Sequence, residues 1–179
     1  GKKERFLDKI YTPSTRFETY EKNVNNRYIC NVYFEKYNST RITKYIIGLS
    51  LINVTNGDVY FDENSFDSLS QVNYYLGNIF ERYEPIEIQY IRNTQGSETL
   101  DFNNFIVKEK EFSQIKCDKN FNDSVLKKIY KSINSIDILT ILDIANFRYA
   151  TISLVSNISH IYSINSQIIQ QIKMPEQLF

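Results

Sequence analysis

The most continuous apolar run in the chain falls at Ile46, Ile47, Leu49, Leu51, Ile52 and Val54. A strand that is apolar on consecutive positions suits the centre of a sheet covered on both faces. The run stops at Asn56-Gly57, a dipeptide that tolerates the positive φ angles of a type I′ turn, so Val59, Tyr60 and Phe61 are predicted to return antiparallel. Upstream, Tyr28, Cys30, Val32 and Phe34 alternate with Ile29, Asn31, Tyr33 and Glu35. That period of two predicts another strand, paired with 46–54 across the polar 36–44 loop. Two successive hairpins give a three-stranded antiparallel meander.

The period then changes. Leu69, Val72, Leu76, Ile79, Phe80 and Tyr83 fall at three-and-four spacing, the buried stripe of a helix. Ser68 with Gln71 fits a capping box, Asp67 is a competing cap, and Pro85 ends the helix. Ile86, Ile88 and Tyr90 alternate again as a fourth strand, expected parallel to a meander strand because a helix separates them. Residues 92–104 read as an exposed loop, and 105–112 as a short strand. Phe121, Val125, Leu126, Ile129, Tyr130 and Ile133 predict a second helix capped by Asn120 or Asn122. After an apolar run at 136–144, a last long helix is expected over about 147–165, with Ala150, Leu154, Ile158, Ile161 and Tyr162 on one stripe. A final segment at 167–172 ends at Pro175. The chain thus divides into a polar linker at 1–25, a globular part at 26–145 and a closing helical part at 146–179.

Composition narrows the function. The 179 residues are enough to bury about two-thirds of the unfolded chain's surface. Lys+Arg of 21 against Asp+Glu of 21 give a formal charge of zero, which argues against sequence-independent grip on a phosphate backbone as the main task. Cys30 and Cys117 have no metal-ligand spacing and read as reduced thiols. With no apolar run near the ~18 residues of a membrane span, the expectation is a soluble, intracellular chain.

The candidate chemistry is sparse. The glycines are isolated, so there is no phosphate-binding P-loop. His160 is the one histidine, and without a second ligand at metal spacing it reads as a surface or half-buried residue. The order of strand, strand, strand, helix, strand resembles the start of ribonuclease-H-like nucleases, which place an Asp on the first strand and further carboxylates elsewhere to hold two divalent ions. The apolar strand carries Ser50 and Asn53 where such an Asp is wanted, and a neutral amide is a poor ligand for Mg²⁺. Asp58, Asp62, Glu63 and Asp67 cluster in sequence, but a solvated turn and helix start account for them. Lys127, Lys128 and Lys131 form a basic side on the middle helix, either a solvated face or a docking surface.

Several phrases, in order, resemble one family. The stretch 6–15, with Tyr11-Thr12-Pro13-Ser14-Thr15, is similar to the R-x-x-T-P-G-T phrase at the end of the mismatch-binding domain of MutS mismatch-repair proteins. Asn26-Arg27-Tyr28-Ile29 is similar to the opening strand of their connector domain, 48–59 to a G-x-A-x-x-D-x-S-T-G-E-F phrase, and Arg82-Tyr83-Glu84-Pro85-Ile86-Glu87-Ile88 to an R-x-x-P-x-E-I phrase. Asn53 departs from the family's Asp and Ser14 from its Gly, and the AT-rich composition suits a divergent viral or organellar branch. The resemblance implies a ribonuclease-H-like connector domain: an α/β mixed sheet, antiparallel meander plus parallel strand, flanked by helices. It implies no nuclease activity, no cofactor in this segment, and a role relaying movement between DNA-reading and ATPase ends of a dimeric parent that uses ATP and Mg²⁺ on mismatched DNA. It also implies a MutL-like partner, placed at Ser124, Lys127, Lys128 and Lys131. The rival readings are a metal-dependent ribonuclease-H-like nuclease and an autonomous protein-interaction domain.

Overall fold

The structure is a computed structural model that describes residues 26–131 and 137–179. Its centre is a six-stranded mixed sheet. Strands β1 (Tyr28–Asn38), β2 (Thr43–Asn53) and β3 (Val59–Phe66) form the antiparallel meander. Helix α1 (Leu69–Tyr83) then carries the chain over one face, and β4 (Glu87–Asn93) pairs parallel to β1. Strand β5 (Val107–Glu111) adds parallel to β4. Helices α2 (Lys119–Ile129), α3 (Ile138–Ile141) and α4 (Arg148–Ile164) follow, and a short strand β6 (Pro175–Gln177) closes the sheet parallel to β3. The order β5-β4-β1-β2-β3-β6 is a ribonuclease-H-like mixed sheet flanked by helices.

The period-two pattern of β1 explains its place at the centre. Cys30, Val32 and Phe34 face α1 in a core with Leu49, Leu51, Val72, Leu76, Phe80 and Ile88. Ile29 faces the other way, with Ile52, Phe61, Leu126, Leu154 and Ile158, under α2 and α4. Helix α4 lies against β1, β2 and β3, so residues beyond 145 share the core of the meander.

Several local expectations change. The β2–β3 connection is longer than a two-residue turn: Gly57 N–H donates to the Asn53 carbonyl, and only Gly57 there has positive φ, at 81°. The Asn53 side chain organises this loop by accepting from the N–H groups of Thr55 (2.9 Å) and Asn56 (3.4 Å). Strand β3 runs on to Phe66, so Asp62 and Glu63 sit on a strand, Asp62 buried, rather than in a solvated turn. Ser68 caps α1 by accepting from Gln71 N–H. Asp118 caps α2 in place of Asn120 or Asn122. Tyr162 points to solvent, off the buried stripe of α4. The 1–25 linker lies outside the described residues. Among those described, no helix is long and apolar enough to cross a membrane.

Candidate functional site

The sheet has two ends of different character. At one end β4 and β5 finish at Asn93 and Glu111 beside β1, which runs on to Asn38, and the register sets Glu35 level with Asn93 and Phe34 level with Arg92. Open α/β sheets bind ligands in the crevice outside the carboxyl ends of their parallel strands. A cleft of about 710 Å³ opens at this point, lined by Glu35, Lys36, Arg92, Asn93, Thr94 and Glu111 among others.

Hydrogen bonds fix its floor. The Tyr33 hydroxyl donates to Glu35 Oε2, while Asn93 Nδ2 donates to the Tyr33 oxygen (2.8 Å) and to Glu35 Oε2 (3.2 Å). Burial and the neighbouring Glu35 carboxylate raise the Tyr33 pKa, so Tyr33 stays protonated and orients Glu35. The Tyr33 ring stacks on Tyr149 and meets Phe112 edge-on, which locks its rotamer.

The two basic side chains lining the cleft are both paired. Lys36 bonds Glu98 from the 94–106 connection, and the contact raises the lysine pKa and lowers that of the carboxyl. Arg92 donates a hydrogen bond to Glu111 (2.7 Å) and forms an ion pair with Glu109 (2.9 Å) on β5, and Glu111 holds its pKa up. The connection itself is anchored by buried Leu100 and by Phe102 and Phe105 against Phe80.

At the opposite end, His160 of α4 meets Glu87 of β4. His160 Nε2 lies 2.7 Å from Glu87 Oε1, which also receives Gln89 Nε2 and Lys108 Nζ (3.1 Å). Burial pushes the His160 pKa down, against the pull of Glu87. Between the two ends, α4 covers a buried polar seam. Ser153 Oγ donates to the Asn31 carbonyl (2.7 Å), and Asn157 Nδ2 donates to the Ile29 carbonyl (3.0 Å) and to Ser50 Oγ (3.2 Å).

The sequence reading placed the first-strand carboxylate position on the wrong strand. Ser50 and Asn53 belong to β2; the first strand is β1, which carries Asn31 beneath Ser153 and Glu35 level with the end of β4. The signal for Glu35 was present, since it shares the alternating face of Asn31 and Tyr33. The partner at Asn93 depended on the β1–β4 register and had no local signal. Asp58, Asp62, Glu63 and Asp67 do not converge. Asp62 accepts from Tyr75 Oη (2.6 Å), Glu63 accepts backbone N–H groups of α4, Asp58 pairs with Lys173 and Asp67 with Lys44. Among the described residues no three His, Cys, Asp or Glu side chains come together as a metal site. Cys30 and Cys117 are free thiols.

Ser124, Lys127, Lys128 and Lys131 lie on or just beyond α2. Ser124 bonds back to the Phe121 carbonyl (2.8 Å). Lys128 and Lys131 reach the rim of a groove of about 630 Å³ between α2 and α4, floored by Val125, Ile129 and Ile158; Ser124 and Lys127 do not line it.

No family model and no curated protein sequence matches the chain. Among solved structures it is similar to a Fowlpox virus resolvase in complex with Holliday junction DNA, at 14% identity over 77% of this chain and 99% of that one, TM-score 0.42. It is also similar to a chain of the simian T-cell lymphotropic virus intasome with PP2A regulatory subunit B56 gamma, at 12% identity over 65% of this chain and 46% of that one, TM-score 0.29. The MutS assignment is corrected by the resolvase match, which is to a ribonuclease-H-like nuclease fold rather than to a mismatch-repair connector. The connector function and the expectation of a non-enzyme are withdrawn with it.

Proposed function

We propose that the chain is a nucleic-acid-directed domain of nuclease type, engaging a phosphodiester backbone at the cleft where β4 and β5 end beside β1. One observation carries the reading. Glu35, an acidic side chain on the first strand, stands abreast of Asn93 at the end of β4, at the mouth of a polar cleft with Lys36 and Arg92 on its wall. A carboxylate held by Tyr33 and Asn93 can accept a proton from an attacking water, and Lys36 and Arg92, which leave the same strand ends from the opposite face of the sheet, can bind phosphate oxygens.

The divalent ions associated with this fold do not fit here. Glu35 has no second and third acidic or histidine neighbour to complete a centre among the described residues. No step is therefore routed through a metal.

The test is incubation of labelled duplex DNA, a four-way DNA junction and an RNA–DNA hybrid with the protein, with and without Mg²⁺ or Mn²⁺. Cleavage of at least one substrate is expected, falling by about 10²–10⁴-fold in Glu35→Gln, the range of a lost general base. Absence of cleavage on all three, or an unchanged rate in Glu35→Gln, overturns the nuclease assignment.

A further inference from the structure

Lys36 and Arg92 project from adjacent strands into one cleft, yet each is neutralised by carboxylates from a different part of the chain. The Lys36 and Glu98 side chains are each 23% exposed, so the pair is partly shielded from solvent. Glu98 Oε2 is buried without a hydrogen-bond partner, a poorly satisfied position for a carboxylate. Glu111 lines the cleft itself.

An ionised carboxylate and a phosphate oxygen offer a guanidinium or ammonium the same interaction, and Arg92 presents the forked geometry that suits either. We propose that Lys36 and Arg92 are a phosphate-binding pair held in reserve, with Glu98 and Glu111 as internal counter-anions that a polyanionic ligand displaces. The inference rests on the nucleic-acid reading for the identity of the ligand, but the latch stands on the ion pairs alone. It also fits the zero net charge, because the cationic surface is released only when the carboxylates yield.

The test compares the whole chain with Glu98→Gln, Glu111→Gln and the double variant, all near-isosteric, and with Lys36→Gln. Binding is measured to labelled duplex DNA and to inorganic polyphosphate across a salt series, and melting temperature verifies folding. Glu98→Gln frees Lys36 and is expected to tighten binding about tenfold, the value of one charge-assisted hydrogen bond, whereas Glu111→Gln leaves Glu109 on Arg92 and gains less. Freeing a cation should also steepen the dependence of log K on log salt by about 0.9 per added phosphate contact on duplex DNA. Lys36→Gln should lose the gain made by Glu98→Gln. If polyphosphate responds in this way and DNA does not bind, the latch stands and the nucleic-acid reading falls. If DNA binds with unchanged affinity and salt slope in folded Glu98→Gln, Glu111→Gln and double variants, the latch falls and the nucleic-acid reading stands. Binding of neither ligand by any variant overturns both.

Discussion

Gly48 on β2 lies directly against the backbone of Tyr149 in α4: a Cβ built on Gly48 would stand 2.2 Å from the Tyr149 carbonyl oxygen. The helix can sit this close only because the strand has no side chain there. The contact fixes the depth at which α4 seats on the sheet, and with it the position of the Tyr149 ring against Tyr33.

Gly48→Ala should therefore destabilise the fold by about 1–3 kcal/mol, the cost of overpacking against atoms that cannot move aside. Gly77, inside α1 with nothing within 4 Å of its Cβ position, should respond in the opposite sense. Gly77→Ala is expected to stabilise by about 0.5–1 kcal/mol, because alanine restricts the unfolded chain and favours helix. Urea unfolding of both variants checks the pair, and equal effects of the same sign contradict it.

Glu63 fastens the start of the same helix. Its Oε2 accepts from the backbone N–H groups of Tyr149 (2.6 Å) and Ala150 (3.0 Å), two of the donors that a helix leaves unsatisfied. Burial raises the Glu63 pKa while these N–H groups oppose the rise. Glu63→Ala should cost about 1–2 kcal/mol, the range of a lost cap, and Glu63→Gln less because the amide oxygen still accepts. Chemical denaturation with the two substitutions side by side tests the ordering.

Ser153 holds the buried seam beneath α4, donating to Asn31 and lying 3.1 Å from Ser50 Oγ. Ser153→Ala leaves buried acceptors on Asn31 without their donor, at a cost of about 1–3 kcal/mol. Ser153 and Asn157 share Ser50 as a partner, so the two sites should couple. A double-mutant cycle with Asn157→Ala should return an interaction energy above about 0.5 kcal/mol; strict additivity rules out a connected network.

His160 gives the fold a pH dependence of definite sign. Its pKa is depressed in the folded state by burial, opposed by Glu87 and reinforced by Lys108 and Lys110 on β5, relative to an ordinary value of 6.5. The unfolded chain therefore binds the proton more tightly. Stability contributed at this site is fully present above pH 6.5 and is lost as pH falls through the window below it. Melting temperatures of wild type and His160→Gln, taken from neutral to mildly acid pH, should converge on the acid side. A constant gap between the curves disproves the linkage.

Much of this architecture was legible along the chain. The alternation at 28–35, the unbroken apolar run at 46–54 and the three-and-four stripe from Leu69 to Tyr83 are local patterns, and local patterns report which face of an element is dry. They gave the meander, α1 and the parallel β4. Strand β6 left no such signal, because its Pro175, Glu176 and Gln177 are too few to show a period; pairing with β3 alone makes them a strand. Asp62 and Glu63 looked like solvated turn residues for a related reason. Their composition is polar, and only distant partners, Tyr75 for buried Asp62 and the start of α4 for half-buried Glu63, make these strand positions acceptable to them.

The candidate site shows the division most clearly. Sequence alone determined that β1 exists, that Glu35 lies on its alternating face, and that no histidine pair or glycine-rich loop offers an easier chemistry. The tertiary structure decided that β1, rather than the more apolar β2, is the strand beside β4, and so brought Asn93 level with Glu35 and Arg92 level with Phe34. It likewise set Glu98, Glu109 and Glu111 against the two cations. The physical reason is that hydrophobic periodicity encodes the burial of each element against its own neighbours, whereas charge pairing depends on which strand ends meet, a property of the whole sheet's register.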